Sequence, residues 1–310
     1  MQIKLGIVGQ SNSGKTVIVH GLQERLAQID PGEGLKLTAL NLEDAKRIQQ
    51  EIEKNRENLR TMGGVVTTVA RDFEYALREG TKDLLSIVYH DPIGQLLQQT
   101  SLGALDAENH SKYLRNLSSC NIIWAVVPLR IFNGEPTVRD DEIEIVQSYV
   151  AESINARIRD GTTAPVSLAI VISRIDAMGQ YSEQEARSDI VRLVNEVGKK
   201  FERLAVKTDL IWSCVVFPVS AFGFNNHALQ SSATKDGSQE QHYLLAGPTM
   251  RPWNLDKLLL WSLCIGLEQP TGHTIFRRAR ANSDLASRVG DSLSRTEGPF
   301  LTLKAGNARR

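Results

Sequence analysis

A mostly parallel α/β fold is predicted by three features of this 310-residue chain. Apolar segments of strand length alternate with amphipathic segments of helix length, the pattern of strands joined by crossover helices. Two neighbouring strand-like segments, Val69 to Leu77 and Lys82 to His90, are separated only by Arg78-Glu79-Gly80-Thr81, which makes one antiparallel hairpin. Finally, Gly9-Gln10-Ser11-Asn12-Ser13-Gly14-Lys15-Thr16 stands between the apolar run Ile3 to Val8 and the amphipathic stretch Val17 to Ile29. The expected architecture is a three-layer domain with a sheet of about six strands and helices on both faces.

The Gly9–Thr16 segment fits the phosphate-loop pattern G-x-x-x-x-G-K-[ST] in the strand–loop–helix setting that pattern needs. Its glycines let the backbone curl with N–H groups pointing inward, and the following helix adds the positive end of its dipole. Lys15 is placed to reach the β- and γ-phosphates of a nucleotide, and Thr16 to set its hydroxyl on Mg²⁺. Gly9, Asn12, Ser13, Gly14 and Val17 complete the candidate phosphate contacts.

Further along, Leu35, Leu37 and Ala39 alternate with Lys36 and Thr38, consistent with a short extra strand. Glu43 to Leu59 is dense in mixed charge and reads as a solvated helix with pairs such as Glu43 with Arg47 and Glu51 with Lys54. Thr61 to Thr68 carries two glycines and paired threonines. The hairpin's second strand ends in Asp91-Pro92-Ile93-Gly94-Gln95. A carboxylate at the end of a buried strand beside a phosphate loop can hold Mg²⁺, Gly94 can donate its N–H to a γ-phosphate, and Gln95 can orient the attacking water.

Asn121 to Leu129 is a buried strand, Asp140 to Arg159 a helix, and Val166 to Ile172 a nearly all-apolar strand running into Ser173-Arg174-Ile175-Asp176. Glu183 to Val206 is a long amphipathic helix, and Leu210 to Val219 a strand ending in Ser220-Ala221-Phe222. Asn225 to Pro252 is rich in Ser, Gln, Asn and Gly and reads as an exposed loop. Trp253 to Glu268 is a helix capped by Asn254. From Pro270 on, periodicity is lost and Arg277, Arg278, Arg280, Arg288 and Arg295 make a basic tail, a docking segment or a disordered one. These readings divide the chain into a domain over 1–269, with insertions near 35–60 and 224–252, and a tail over 270–310.

In their order along the chain these motifs resemble those of the Ras-like (TRAFAC class) GTPases, over roughly Met1 to Gln269. The resemblance rests on Gly9–Thr16, a switch threonine at Thr67 or Thr68, Asp91–Gly94 followed by Gln95, Ser173–Asp176 in the position of N/T-K-x-D, and Ser220-Ala221-Phe222 in the position of the S-A-K loop. A looser likeness, in general layout, is to bacterial double-GTPase proteins encoded near signalling or defence components. The resemblance implies a G domain that binds GTP and GDP, hydrolyses GTP slowly with Mg²⁺, and signals to a protein effector or activating partner, which can be another GTPase. The implied Mg²⁺ ligands are Thr16, Thr67 and Asp91, and the implied catalytic pair is Gln95 and Lys15.

The base-reading logic stands on chemistry as well. Asp176 can accept hydrogen bonds from guanine N1–H and N2–H₂, a donor pair that adenine lacks, and mismatch leaves buried polar groups unpaired. The stem and planar head of Arg174 can lie over the purine face. The Ala221 N–H is placed to meet guanine O6, while Ser220 belongs to the same loop. Two departures are visible: Ser173 and Arg174 stand where the family prefers Asn or Thr and then Lys, and Phe222 replaces the usual Lys. A phosphate-loop ATPase or small-molecule kinase would share Gly9–Thr16 without needing Asp176. A nucleotide-binding scaffold without turnover would not need Gln95.

Composition narrows the field. The formal net charge is +0, which gives no electrostatic footprint for nucleic acid. No apolar stretch is long enough to span a bilayer; the longest, Leu258 to Leu267, is interrupted by Ser262. No signal peptide is recognised, and Cys120, Cys214 and Cys264 lie far apart without metal-ligand spacing, as expected of buried thiols in a cytoplasmic protein.

Overall fold

The computed structural model describes residues 2–10, 12–40, 42–61, 71–91, 111, 113–132, 135–162, 164–178, 183–207, 209–233, 239–269 and 278–305. The strands are β1 (Gln2–Val8), β2 (Leu35–Ala39), β3 (Arg71–Glu79), β4 (Lys82–Asp91), β5 (Ile122–Pro128), β6 (Arg130–Phe132), β7 (Glu135–Thr137), β8 (Val166–Ser173), β9 (Ile211–Pro218), β10 (His227–Ala233), β11 (Gln239–Leu245) and β12 (Leu301–Lys304). The helices are α1 (Lys15–Arg25), α2 (Leu42–Thr61), α3 (Asp140–Arg159), α4 (Glu183–Lys207), α5 (Leu255–Glu268) and α6 (Arg278–Arg295). Positions 113–118 are also helical.

Eight strands form one sheet in the order β12-β9-β8-β5-β1-β4-β3-β2. The central five, β4, β1, β5, β8 and β9, are mutually parallel. The predicted hairpin is β3–β4, and the alternating segment at Leu35–Ala39 extends it as antiparallel β2.

Side-chain alternation builds the two outer layers. In β5, Ile122, Trp124 and Val126 point to one face, while Ile123, Ala125 and Val127 point to the other. The first face packs on α1, α5 and α6 through residues such as Ile18, Leu22, Leu258, Leu259 and Val289. The second packs on α3 and α4 through Val146, Val150, Val194 and Phe201. Trp124 Nε1–H donates to Ser262 Oγ at 3.0 Å, which in turn donates to the Leu258 carbonyl at 2.9 Å, so the polar edge of a fully buried indole is satisfied. The serine that interrupts the longest apolar run thus has a partner in the sheet. The charged helix α2 is tied in by Ile52 and Leu59, both buried, and by the Arg56–Glu24 ion pair with α1.

Four expectations are corrected. The main sheet has eight strands, not about six, because β2 and β12 add an antiparallel strand at each edge. The segment Asn225 to Pro252, read as a loop, contains the β10–β11 hairpin, whose polar alternation carried no core-facing signal. The basic tail is in part structured: α6 lays Leu285, Ala286 and Val289 into the core, and β12 pairs antiparallel with β9. A boundary at 269 therefore cuts through one fold. Asn254 precedes α5 with φ 62° and makes no side-chain cap; its Nδ2 donates instead to the Pro218 and Pro299 carbonyls, both at 2.8 Å, joining β9 to the C-terminal segment.

No described helix is long and apolar enough to cross a membrane. Burial pushes the Cys214 and Cys264 thiols up to about 12. Only a thiolate is alkylated. Cys264, the more exposed of the two, should therefore react with iodoacetamide at pH 8 about 10³-fold more slowly in the native chain than in urea, with the difference shrinking as pH rises. Mass spectrometry of time-quenched samples measures this, and comparable native and unfolded rates would show that the thiol is not held neutral.

Candidate functional site

Because the central five strands are parallel, their C-terminal ends converge on one edge of the sheet. The chain leaves β1 between β4 on one side and β5 on the other, and such a divergence opens a crevice beyond the carboxyl ends of the strands. The sequence-predicted residues that the structure describes lie in the segments that follow these strand ends.

Gly9 begins the Gly9–Thr16 loop hard against β5. A Cβ on it would lie 2.6 Å from the Val126 carbonyl oxygen and 2.7 Å from Ser13 Oγ, so no side chain fits. The loop then turns through left-handed conformations at Asn12 (φ 61°) and Gly14 (φ 86°). Ser13 N–H donates to the Gln10 carbonyl at 3.2 Å, and α1 starts at Lys15 with Ile18 N–H bonded to the Gly14 carbonyl at 2.9 Å. The buried Lys15 ammonium sits inside this curl, donating to the carbonyls of Gly9 at 2.7 Å and Gln10 at 2.6 Å. A cation is thus fixed at the mouth of a helix N-terminus, where an anion would meet charge and dipole together. Thr16 and Val17 follow on the first turn, both half-buried.

The end of β8 is fastened to this loop. Ser173 Oγ donates to the Ser13 carbonyl at 2.6 Å, and the Arg174 guanidinium donates to the Asn12 carbonyl. Arg174 itself has φ 61°, the turn that aims its side chain back over the loop. Asp176 follows on a short 3₁₀ turn, Ile175–Met178, with its carboxylate 5% exposed. Burial raises its pKa; the Ser220 hydroxyl hydrogen bond, His227 and Arg174 oppose that rise. His227 Nδ1 lies 3.6 Å from Asp176 Oδ2.

The loop after β9 is equally constrained. Ser220 pairs with Trp253 through both backbone groups, at 3.1 and 2.8 Å, and its Oγ accepts the Gly223 N–H at 2.7 Å. The Ala221 methyl faces α1, where a Cβ on Gly21 would lie 3.5 Å from it. Phe222 is buried in a small apolar cluster with Leu59, Leu245 and Met250, against which Val17 packs. Its ring is therefore engaged with α2 and the β10–β11 hairpin, and it is not available as a free stacking surface.

Of the Mg²⁺ ligands expected from sequence, Thr16 is placed on α1, and the backbone of Asp91 closes β4, which runs in register with β1 up to the Gly6–His90 pair. Thr67, Gly94 and Gln95 lie outside the described residues. Among the described residues no group of three or more His, Cys, Asp or Glu side chains is arranged to hold a metal ion. A hydroxyl and one carboxylate suit Mg²⁺, a hard cation that takes few protein oxygens and completes its shell with phosphate and water.

No family model matches the chain, and no curated protein does. Among solved structures it is similar to crystal structures of two mutation variants of SsGBP. The first is 15% identical with a TM-score of 0.35, covering 73% of this chain and 51% of that one. The second is 15% identical with a TM-score of 0.32, covering 71% and 50%. The chain thus aligns with about half the length of the structures it matches.

One member of the site and two of its hydrogen bonds escaped sequence reading. His227 stands in a polar stretch with no motif around it, and only the approach of β10 to the 3₁₀ turn brings it to Asp176. The ties from Ser173 and Arg174 to the Gly9–Thr16 loop span 160 and 162 positions. The hydroxyl and the cation were visible in the sequence; their partners were not.

Proposed function

We propose that the chain binds GTP and GDP and hydrolyses GTP with Mg²⁺, acting as a switch read by a protein partner. The observation that supports this reading is the fastening of the Ser173–Asp176 turn to the Asn12–Ser13 backbone, which brings the turn of the buried Asp176 carboxylate against the Gly9–Thr16 loop. Asp176 accepts from the guanine N1–H and N2–H₂ edge, and the Arg174 stem lies beneath the purine. Lys15, the loop N–H groups and the α1 N-terminus neutralise the phosphates. Thr16 and Asp91, with Thr67 from sequence, hold Mg²⁺, which when bound supplies charge neutralisation at the β- and γ-phosphates. Gln95 aligns the attacking water. The segments around Thr61–Thr68 and Asp91–Leu97 respond to the γ-phosphate and present the state to the partner.

The test is a titration of the purified chain with labelled GDP, GTP, ATP and XTP in Mg²⁺, followed by phosphate release from whichever binds. Tight guanine binding with slow turnover is expected, and roughly 10³–10⁵-fold acceleration is open to an activating partner that supplies an arginine. Equal or better affinity for ATP would replace this reading with a phosphate-loop ATPase. Tight guanine binding without phosphate release would leave a nucleotide-binding scaffold.

A further inference from the structure

We propose that His227 is a specificity-determining residue of the base site, its imidazole holding the Asp176 carboxylate and giving way to the donor edge of guanine when nucleotide binds. This rests on the guanine-nucleotide reading above.

Three observations carry it. The carboxylate of Asp176 is buried, and the imidazole is one of the groups that cover it, their side chains being 5% and 10% exposed. A carboxylate removed from water needs donors, or its desolvation destabilises the fold. Ser220 supplies one through its hydroxyl. His227 supplies the second contact from a separate element, and at 3.6 Å it is an electrostatic contact longer than a hydrogen bond. Of the groups that act on the carboxylate, the imidazole is the one that comes from outside the Ser173–Asp176 turn and the Ser220–Phe222 loop.

The backbone of His227 is fixed by its neighbours. Its neighbour Asn226 donates through Nδ2 to the Phe222 carbonyl at 2.7 Å and the Thr249 carbonyl at 3.0 Å, and Asn226 O accepts the Ala246 N–H at 3.0 Å. His227 pairs with Leu245 across the hairpin. The first residue of β10 is therefore registered to the Ser220–Phe222 loop.

Exchange of the imidazole for guanine keeps a polar partner on Asp176 in both states. Guanine brings N–H groups to replace the imidazole. Adenine brings none, so its entry would leave the buried carboxylate without the partner it lost. His227 thus competes with every base, and only a base that offers donors makes good the contact it displaces.

The experiment measures GDP affinity for the full chain and for His227→Ala and His227→Gln, with thermal melts to establish folding. It also records the imidazole resonances of the wild type with and without GDP. The expected result is GDP binding roughly 5- to 30-fold tighter in His227→Ala, where the competitor is gone. Affinity should lie near the wild type in His227→Gln, whose amide can take the imidazole's place, and the His227 signals should move when GDP is added. Binding that is equal or weaker in a folded His227→Ala overturns the assignment while leaving the guanine reading intact. Should His227→Ala not fold, the wild-type resonances decide: signals unmoved by saturating GDP overturn it. Failure of the wild type to bind GDP at all removes the guanine reading, and this inference with it.

Discussion

Replacing Asp176 by Asn is expected to reverse purine preference, raising the ratio of XDP to GDP affinity by roughly 10²–10⁴-fold. In the proposed function the carboxylate offers two acceptors to guanine N1–H and N2–H₂, whereas an asparagine amide offers one acceptor and one donor. Guanine then faces the amide with its amino group against another donor. Xanthine, with an oxygen in place of that amino group, matches it. The fold does not need a charge at this position: burial disfavours the ionised form of Asp176, and the Ser220 hydroxyl can still donate to the oxygen of the substituted amide. The ratio of two ligands measured on one variant also cancels any general loss of affinity. Competition binding with both nucleotides reads it, and an unchanged ratio in a folded variant would exclude Asp176 from base recognition.

The same burial predicts the pH course. An aspartate whose pKa is raised loses its carboxylate at higher pH than an exposed one. Guanine selectivity in the wild type should therefore fade as pH falls through that raised value, while the preference of the Asp176→Asn variant stays level.

The second large effect is on stability. Arg157, near the C-terminal end of α3, is buried with its guanidinium turned onto backbone carbonyls: Ser118, Cys120 at 2.7 Å, Ala164 at 2.9 Å and, more distantly, Pro165 at 3.5 Å. These carbonyls precede β5 and β8, so one planar cation gathers the N-terminal ends of both strands on the far side of the sheet from the candidate site. Desolvation pulls its pKa below the usual arginine range, but the group keeps its proton at any working pH.

Arg157→Met keeps a comparable apolar stem and removes the donors, leaving buried carbonyls unpaired. Each such group costs about 1–3 kcal/mol, so the variant should lose about 3 kcal/mol or more. For a chain of this size that lowers Tm by about 5–10 °C. Arg157→Lys should recover only part of this, because an ammonium is a single point and cannot span carbonyls on two segments. Calorimetry of the three proteins measures it; a Tm within about 2 °C for Arg157→Met, the effect of a neutral surface change, would show that water satisfies those carbonyls.

The local pattern of the chain determined the parallel strands, the β3–β4 hairpin and the principal helices. In these segments burial repeats along the chain with the period of the backbone, so Ile122, Trp124 and Val126 announce a sheet face by themselves. It also determined the phosphate-loop motif, whose glycines, lysine and threonine are contiguous. Where side chains face partners distant in sequence, that signal fails. The polar hairpin β10–β11 looked like a loop, and the arginine-rich tail hid the apolar stripe of Leu285, Ala286 and Val289. Phe222 read as a candidate for the base site, but a cluster drawn from α2 and the hairpin takes its ring. Only the tertiary structure decided that Ser173 and Arg174 fasten to the Gly9–Thr16 loop, that His227 meets Asp176, and that Arg157 gathers two strand ends. Each of these satisfies a buried polar group, and such a requirement fixes the chemistry of the partner without fixing its position in the chain.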